Sequence, residues 1–275
     1  MTMKTLQTNR GVTLVELLVA IVVAGVVMGA VFAVLVSNQR IYAVQGERIL
    51  GQQTVRAGAE ILSTELRDIS IPEGDLLVMD EAEVSFRAGR AFAVVCEVLD
   101  PSPLSVVAWV GAGQFVEGDS VFVFSDADPT TSTDDLWLTG AVSDSETSVD
   151  QCSVPGRPEI QIDFQGLSPS AGQAGVRQGA QVRGFEVVRY ESMTYANRPY
   201  LGRALGTDGR PEPIVGPLAP TNGLAFAYLD GEGNEVTDRL AVRAFQITIR
   251  TASGILDQAG RPVADSLTVL VNARN

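Results

Sequence analysis

The side chains in this chain that can do chemistry are carboxylates, arginines and two cysteines. The 275 residues include 33 Asp and Glu and no histidine. Lysine occurs once, as Lys4, so every other basic side chain is arginine. Without histidine there is no Ser-His-Asp or Cys-His nucleophile and no imidazole metal ligand. Without lysine in the body of the chain there is no P-loop lysine and no Schiff-base lysine. Two cysteines, Cys96 and Cys152, are too few for a structural zinc site. Paired carboxylates for hydrolysis remain formally open, but no spacing marks a pair. A net charge of −13 with no basic block argues against nucleic acid as a partner. The expectation is a protein that is not an enzyme and needs no cofactor.

Three groups of residues remain as candidates. Glu16 is the only ionisable side chain from residue 11 to residue 39, and it stands at the edge of an apolar run. A carboxylate there is costly unless paired, which makes it a functional candidate; the plain alternative is a headgroup-level residue that is merely tolerated. Asp126, Asp128, Asp134 and Asp135 cluster in SDADPTTSTDD, and Asp230, Glu232, Asn234, Glu235 and Asp238 in DGEGNEVTD. Alternating hard oxygen ligands can hold Ca²⁺, but neither segment completes a twelve-residue calcium loop, and solvated acidic turns explain both. Cys96 and Cys152 either form one disulfide or stay as thiols, Cys96 lying in the apolar run AFAVVCEV. A bridge between them closes a long loop, worth about 4 kcal/mol on the chain-entropy account. Trp109 and Trp137 serve either core packing or a surface-binding patch.

The element that must position Glu16 is plain. Leu17–Val36, LLVAIVVAGVVMGAVFAVLV, is 20 residues without a polar side chain. At 1.5 Å per residue that spans a hydrocarbon core of about 30 Å. Residues 1–10 carry only the positive side chains Lys4 and Arg10, which places this end in the cytoplasm and the bulk of the chain across the membrane. Gly25 and Gly29 form GxxxG, a spacing that lets helices approach closely, although glycine is also common in membrane helices. Beyond the span, Val55, Ala59, Leu62, Leu66 and Ile69 make one amphipathic stripe, with Pro72 and Gly74 as stop signals. The spacing predicts a helix from Val12 to about Ser70, roughly 88 Å long. Gly46, Gly51 and Gly58 are sites for bending or local melting in its middle.

Arg10-Gly11-Val12-Thr13-Leu14-Val15-Glu16-Leu17-Leu18-Val19-Ala20 resembles the class III signal of type IV pilins and pseudopilins. The resemblance implies that a prepilin peptidase cuts between Gly11 and Val12 and that the new Val12 amine is methylated. It makes Glu16 the fifth mature residue, which in the family pairs with a neighbouring subunit's amine and sets the register of assembly. The family usually begins with Phe, and this chain has Val. The implied plan is α+β: a leader of residues 1–11, a long helix over 12–71 with a membrane segment at about 14–36, and a β-rich domain over 75–275. The run Gly223–Tyr228 with its acidic-glycine turn, and the ending Leu267–Asn275, resemble PilW-type minor pilins, with the type II secretion pseudopilin J a near neighbour. The implied function is a minor pilin that structures or primes a filament built at the bacterial inner membrane, its partners other pilins, the prepilin peptidase and the assembly platform. A secretion pseudopilin is the alternative, and a membrane-anchored adhesin or DNA-uptake protein a further one.

After residue 75 the pattern changes to short alternating runs: Glu83–Arg87, Ala91–Leu99, Ser105–Val110, Ser120–Ser125, Leu136–Val142, Glu159–Phe164, Gly184–Glu191, Leu224–Leu229, Ala241–Thr251 and Ser266–Ala273. Alternation with Gly, Pro, Asp and Asn between runs reads as antiparallel sheet. Leu224–Leu229 followed by Asp230–Asn234 reads as the start of a hairpin. Residues 166–182, rich in Gly, Ser, Ala and Gln, read as a mobile loop, and there is no clear linker to a second domain.

Overall fold

The computed structural model describes residues 12–131, 133–147, 151–152, 156–257 and 259–274. One helix, α1, runs from Leu14 to Arg67. It precedes twelve strands: β1 Leu76–Met79, β2 Glu83–Pro101, β3 Leu104–Ala112, β4 Ser120–Ser125, β5 Leu136–Thr147, β6 Glu159–Ser168, β7 Gln181–Tyr195, β8 Arg198–Leu205, β9 Glu212–Val215, β10 Leu224–Leu229, β11 Ala244–Leu256 and β12 Pro262–Asn272. The chain divides into two units, Met1–Gly51 with Ser253–Val263, and Gln52–Ala252 with Ala264–Asn275. The architecture is α+β, one long N-terminal helix packed on an antiparallel β domain.

In the second unit the expected helical stripe is the seated face. Val55, Ala59, Leu62 and Leu66 are buried, joined by Thr54 and Gly58. The helix continues through Gly58 without a break. A Cβ there would stand 2.7 Å from Ile249 Cδ1, so the missing side chain is what lets α1 lie against β11. The helix stops at Arg67 rather than near Ser70. Ile69 and Ile71 are both buried, a two-residue alternation that suits extended chain, and Ser70 bridges to Arg274. Pro72 also disfavours helical geometry at Ile71.

Two layers meet the helix. One is the sheet β1–β2–β7–β8–β9, in which Val84, Phe86, Val188, Tyr190, Leu201 and Val215 face the helix residues. The other is β10–β11–β12, which supplies Leu224, Phe226, Phe245, Ile247, Ile249 and Val271 to the same core. The predicted hairpin is present, with Leu224 opposite Ile249 and Leu229 opposite Ala244.

The long strands β2 and β7 carry a second structure. β2 pairs with β3, β3 with β6, β6 with β5, β5 with β4, β4 with β7, and β7 returns to β2, every pair antiparallel. The ladder therefore closes into a six-stranded barrel, a form that leaves no open edge. Its interior is a separate apolar core that includes Ala93, Val106, Val121, Leu138, Ile162 and Val182. Gly113 closes the turn after β3 at φ +67°, where a Cβ would run into the Arg90 carbonyl. The stretch read as a mobile loop is the plug of this barrel. It contains a 3-10 turn at Ser170–Gly175, its Val176 and Ala180 are buried, and Ser125 Oγ donates to the Gly172 carbonyl at 2.6 Å. Small residues were the signal for disorder, and close packing is the reason they are small: a Cβ on Gly172 would lie 2.5 Å from Leu138 Cδ2.

Three strands lay outside the sequence reading, β1, β8 and β9. Pro199 and Gly202 interrupt the pattern of β8, and β1 and β9 are four residues each. The predicted start of β11 at Ala241 is instead a 3-10 turn at Arg239–Ala241, where the Asp238 carboxylate accepts from Leu240 N–H at 3.0 Å.

Candidate functional site

The start of α1 is built from two polar side chains. Thr13 stands just before the helix and its carbonyl accepts from Leu17 N–H at 3.2 Å. Glu16 Oε2 accepts from both Thr13 N–H and Thr13 Oγ–H, each at 3.0 Å. Glu16 N–H in turn donates to Thr13 Oγ at 3.3 Å. This is a reciprocal capping box, which satisfies donors that have no partner inside the helix and places a negative charge at the positive end of the dipole. Thr13 was missed by the sequence reading, although Thr-x-x-Glu before an apolar run is the signature of such a box. The box uses the Thr13 amide, so a cut between Gly11 and Val12 leaves it whole. Gly11 itself lies outside the described residues. Glu16 Oε1 accepts no hydrogen bond among the described residues.

Behind the box the helix is bare. Every residue from Val12 to Val36 is exposed, Leu17 at 56% and Val36 at 49%. The apolar window has a mean hydropathy of 2.9 and none of it is covered by the chain's own fold. A contiguous apolar surface of this size has to be covered by lipid or by other protein. Gly25 and Gly29 lie one turn apart on this surface, and a Cβ on either would meet nothing within 4 Å.

The other candidate residues do not come together with this helix start. Cys96 and Cys152 are joined as a disulfide, with Cα atoms 5.7 Å apart. The bridge ties β2 to the segment before β6, and Trp109 and Val107 pack against it. Glu159 carboxylate fixes that segment by accepting from Gln151 N–H at 2.9 Å and Cys152 N–H at 3.2 Å. Trp109 is thereby a packing residue, with the Arg157 guanidinium 5.8 Å above its ring. Trp137 lies on the barrel's outer wall beside Phe124, at 5.3 Å, under the Arg183 guanidinium at 5.6 Å.

The acidic loops separate into two cases. Asp126, Asp134 and Asp135 each offer a carboxylate oxygen within 4.8 Å of the others. Asp128 donates its N–H to Asp134 Oδ2 at 2.6 Å, but its own carboxylate turns to Thr130, accepting from Thr130 N–H at 3.0 Å and Thr130 Oγ–H at 2.8 Å, which hold it below the usual Asp range. Asp230, Glu232 and Asn234 form one self-contained turn. Asp230 Oδ1 accepts from the Glu232 and Asn234 amides at 2.8 and 2.9 Å, and the Asn234 bond above all lowers its pKa. An aspartate engaged by its own turn in this way needs no ion to hold its geometry.

Residues 6–32 match the family model described as the prokaryotic N-terminal methylation motif. Nothing among the curated proteins or the solved structures matches this chain. The match ends inside the bare apolar helix and contains Gly11, Val12, Glu16, Gly25 and Gly29. A prepilin-type methylation motif that runs into a candidate membrane helix supports a protein of the type IV pilin or pseudopilin kind, one that is cut by prepilin peptidase, assembles with other pilins and is held in the inner membrane by a single pass.

Proposed function

We propose that the chain is a minor type IV pilin, a structural or priming subunit without catalytic activity. The observation that carries this reading is a methylation motif that extends into an apolar helix left uncovered by the chain's own fold. On this reading residues 1–11 are removed and the Val12 amine is methylated. The helix holds the subunit in the inner membrane with residues 1–11 cytoplasmic and the β domain on the far side. It then enters the filament core, where Glu16 pairs with a neighbour's Val12 amine and the surface around Gly25 and Gly29 meets another helix. A β region of this size favours a minor over a main subunit and a PilW-like over a compact type, as the resemblance implies.

The test is incorporation. Surface filaments are sheared from cells that express the chain together with its assembly machinery, and filaments and washed membranes are probed with antibody. The chain is expected in sheared filaments at a small fraction of the main subunit, with filament number falling when its gene is deleted. Confinement to membranes together with failed protein secretion on deletion would replace this reading with that of a secretion pseudopilin.

A further inference from the structure

The first unit contains a cationic cleft next to the apolar span. Ser37, Arg40, Ile41, Val44 and Arg48 fall on one face of α1, at three- and four-residue steps. Together with the β11–β12 turn, at Asp257 and Ala259, this face encloses a cleft of about 480 Å³. Arg40 Nη2 donates to the Asp257 backbone carbonyl at 3.4 Å. The Asp257 carboxylate is occupied by its own turn: Oδ1 accepts from Ala259 N–H at 2.8 Å and Arg261 N–H at 2.9 Å, and Oδ2 lies 3.6 Å from the Arg261 guanidinium. Among the described residues no carboxylate lies within ion-pair distance of Arg40 or Arg48. Most arginines among the described residues likewise lack such a partner, so what sets Arg40 and Arg48 apart is their place on one cleft beside the apolar span.

Their height gives them a partner. Arg40 is four residues past Val36, about 6 Å further along the helix. That is the depth of the phosphate layer, which is several ångströms thick on each side of the hydrocarbon core. Arg48 stands two turns above Arg40, and helix side chains lean toward the N-terminus, so its long side chain points back toward the membrane. Tyr42, 72% exposed, lies at the same level, where aromatic side chains with a polar tip favour the interface. Removal of residues 1–11 would take away Lys4 and Arg10, which leaves Arg40 as the side-chain cation nearest the span.

We propose that this cleft holds the phosphate of an anionic phospholipid headgroup in the leaflet at the Val36 end of the span, with Arg40 as the direct ligand and Arg48 as a supporting charge. Guanidinium suits this role because it bonds phosphate in bidentate fashion. The inference rests on Leu17–Val36 being a membrane span, and alkaline extraction of membranes from cells that express the chain tests that premise by itself.

The full chain is reconstituted in nanodiscs of phosphatidylcholine and phosphatidylglycerol at 3:1, and the lipids retained on the protein are read by native mass spectrometry. The wild type is expected to retain phosphatidylglycerol at least about tenfold above its bulk share. Arg40→Gln with Arg48→Gln is expected to reduce the retained lipid to the bulk ratio, and Arg40→Lys with Arg48→Lys to keep part of the preference. Alkaline extraction of the cell membranes should leave all three proteins in the bilayer, which shows that they are inserted. Retention at the bulk ratio in the wild type, or a preference that survives the double Gln change, would overturn the proposal. So would inorganic phosphate at 10 mM that abolishes the preference, because the site would then take the free anion rather than the lipid.

Discussion

Glu16 has two roles available to it, and one substitution separates them. Its carboxylate closes the capping box with Thr13, and its charge is free to meet an amine from a neighbour. Glu16→Gln keeps an oxygen that accepts from Thr13 and removes the charge. It is expected to keep the helix start and to reduce incorporation into sheared filaments at least about tenfold. Thr13→Ala does the opposite: it costs about 1 kcal/mol of helix start and leaves the charge. It is expected to incorporate nearly as well as the wild type, and equal incorporation of Glu16→Gln would show that the charge is not used. Asp75 gives a second residue-scale prediction. It is buried at the turn after α1, where its Oδ2 accepts from Ser70 N–H at 2.8 Å and lies 3.7 Å from the Arg183 guanidinium. Burial raises its pKa above the ordinary 3.8, more than the Ser70 bond and Arg183 lower it. A carboxyl whose folded pKa is raised stabilises the fold fully below its unfolded pKa, and that contribution is lost as pH rises through the folded value. The stability of the wild type relative to Asp75→Asn should therefore fall as pH rises from below 3.8 to neutrality, and a flat difference would contradict this assignment.

At the scale of elements, α1 is seated on the sheets through a glycine. Gly58→Ala gains about 1 kcal/mol in helix propensity, but its methyl would meet Ile249 Cδ1 at 2.7 Å. Overpacking costs about 1–3 kcal/mol, so the expected net effect is destabilisation, read as a lower denaturation midpoint of the full chain in detergent. Gly46→Ala, with nothing within 4 Å, is the matched control and should be neutral or stabilising. The contrast also shows what was legible. The stripe Val55, Ala59, Leu62 and Leu66 is periodic and so could be read directly, as could the runs that became β4 and β10 with unchanged limits. The role of Gly58 was not, because a close approach depends on a strand nearly 200 residues further on. Barrel closure was illegible for a similar reason. Residues Glu83–Pro101 read as two runs around Gly89 and Arg90, whereas β2 is one strand whose two halves serve different cores. The methylation motif is local, which is why the stretch that contains Gly11, Val12 and Glu16 stands out in the sequence, while the role of Thr13 needed the cap geometry to be noticed.

At the scale of the whole molecule, charge is segregated. Residues Ala91–Val182, which supply most of the barrel, hold 13 of the 33 carboxylates and only two arginines, so the rest of the chain is close to balance. Among the described residues no barrel carboxylate lies in an ion pair. Asp144 stands directly across from Asp163 on β5 and β6, a like-charge pairing that costs stability. Raising NaCl from 10 to 150 mM should therefore raise the melting temperature by screening this repulsion, and Asp144→Asn should stabilise by about 0.5 kcal/mol. A melting temperature that falls with salt would mean that attractive pairs dominate instead. The opposite end of the chain has one ionisable side chain in residues 11–39 and a bare apolar surface, so the molecule joins an insoluble helix to a highly soluble domain. That combination suits a subunit that waits in a bilayer and later exchanges lipid for the helices of its neighbours. The most direct measurement is mass spectrometry of the N-terminal peptide of the protein recovered from cells that contain a prepilin peptidase. The account predicts a peptide that begins at Val12 and carries one added methyl group. A chain that keeps residues 1–11, or begins at any other residue, would contradict it.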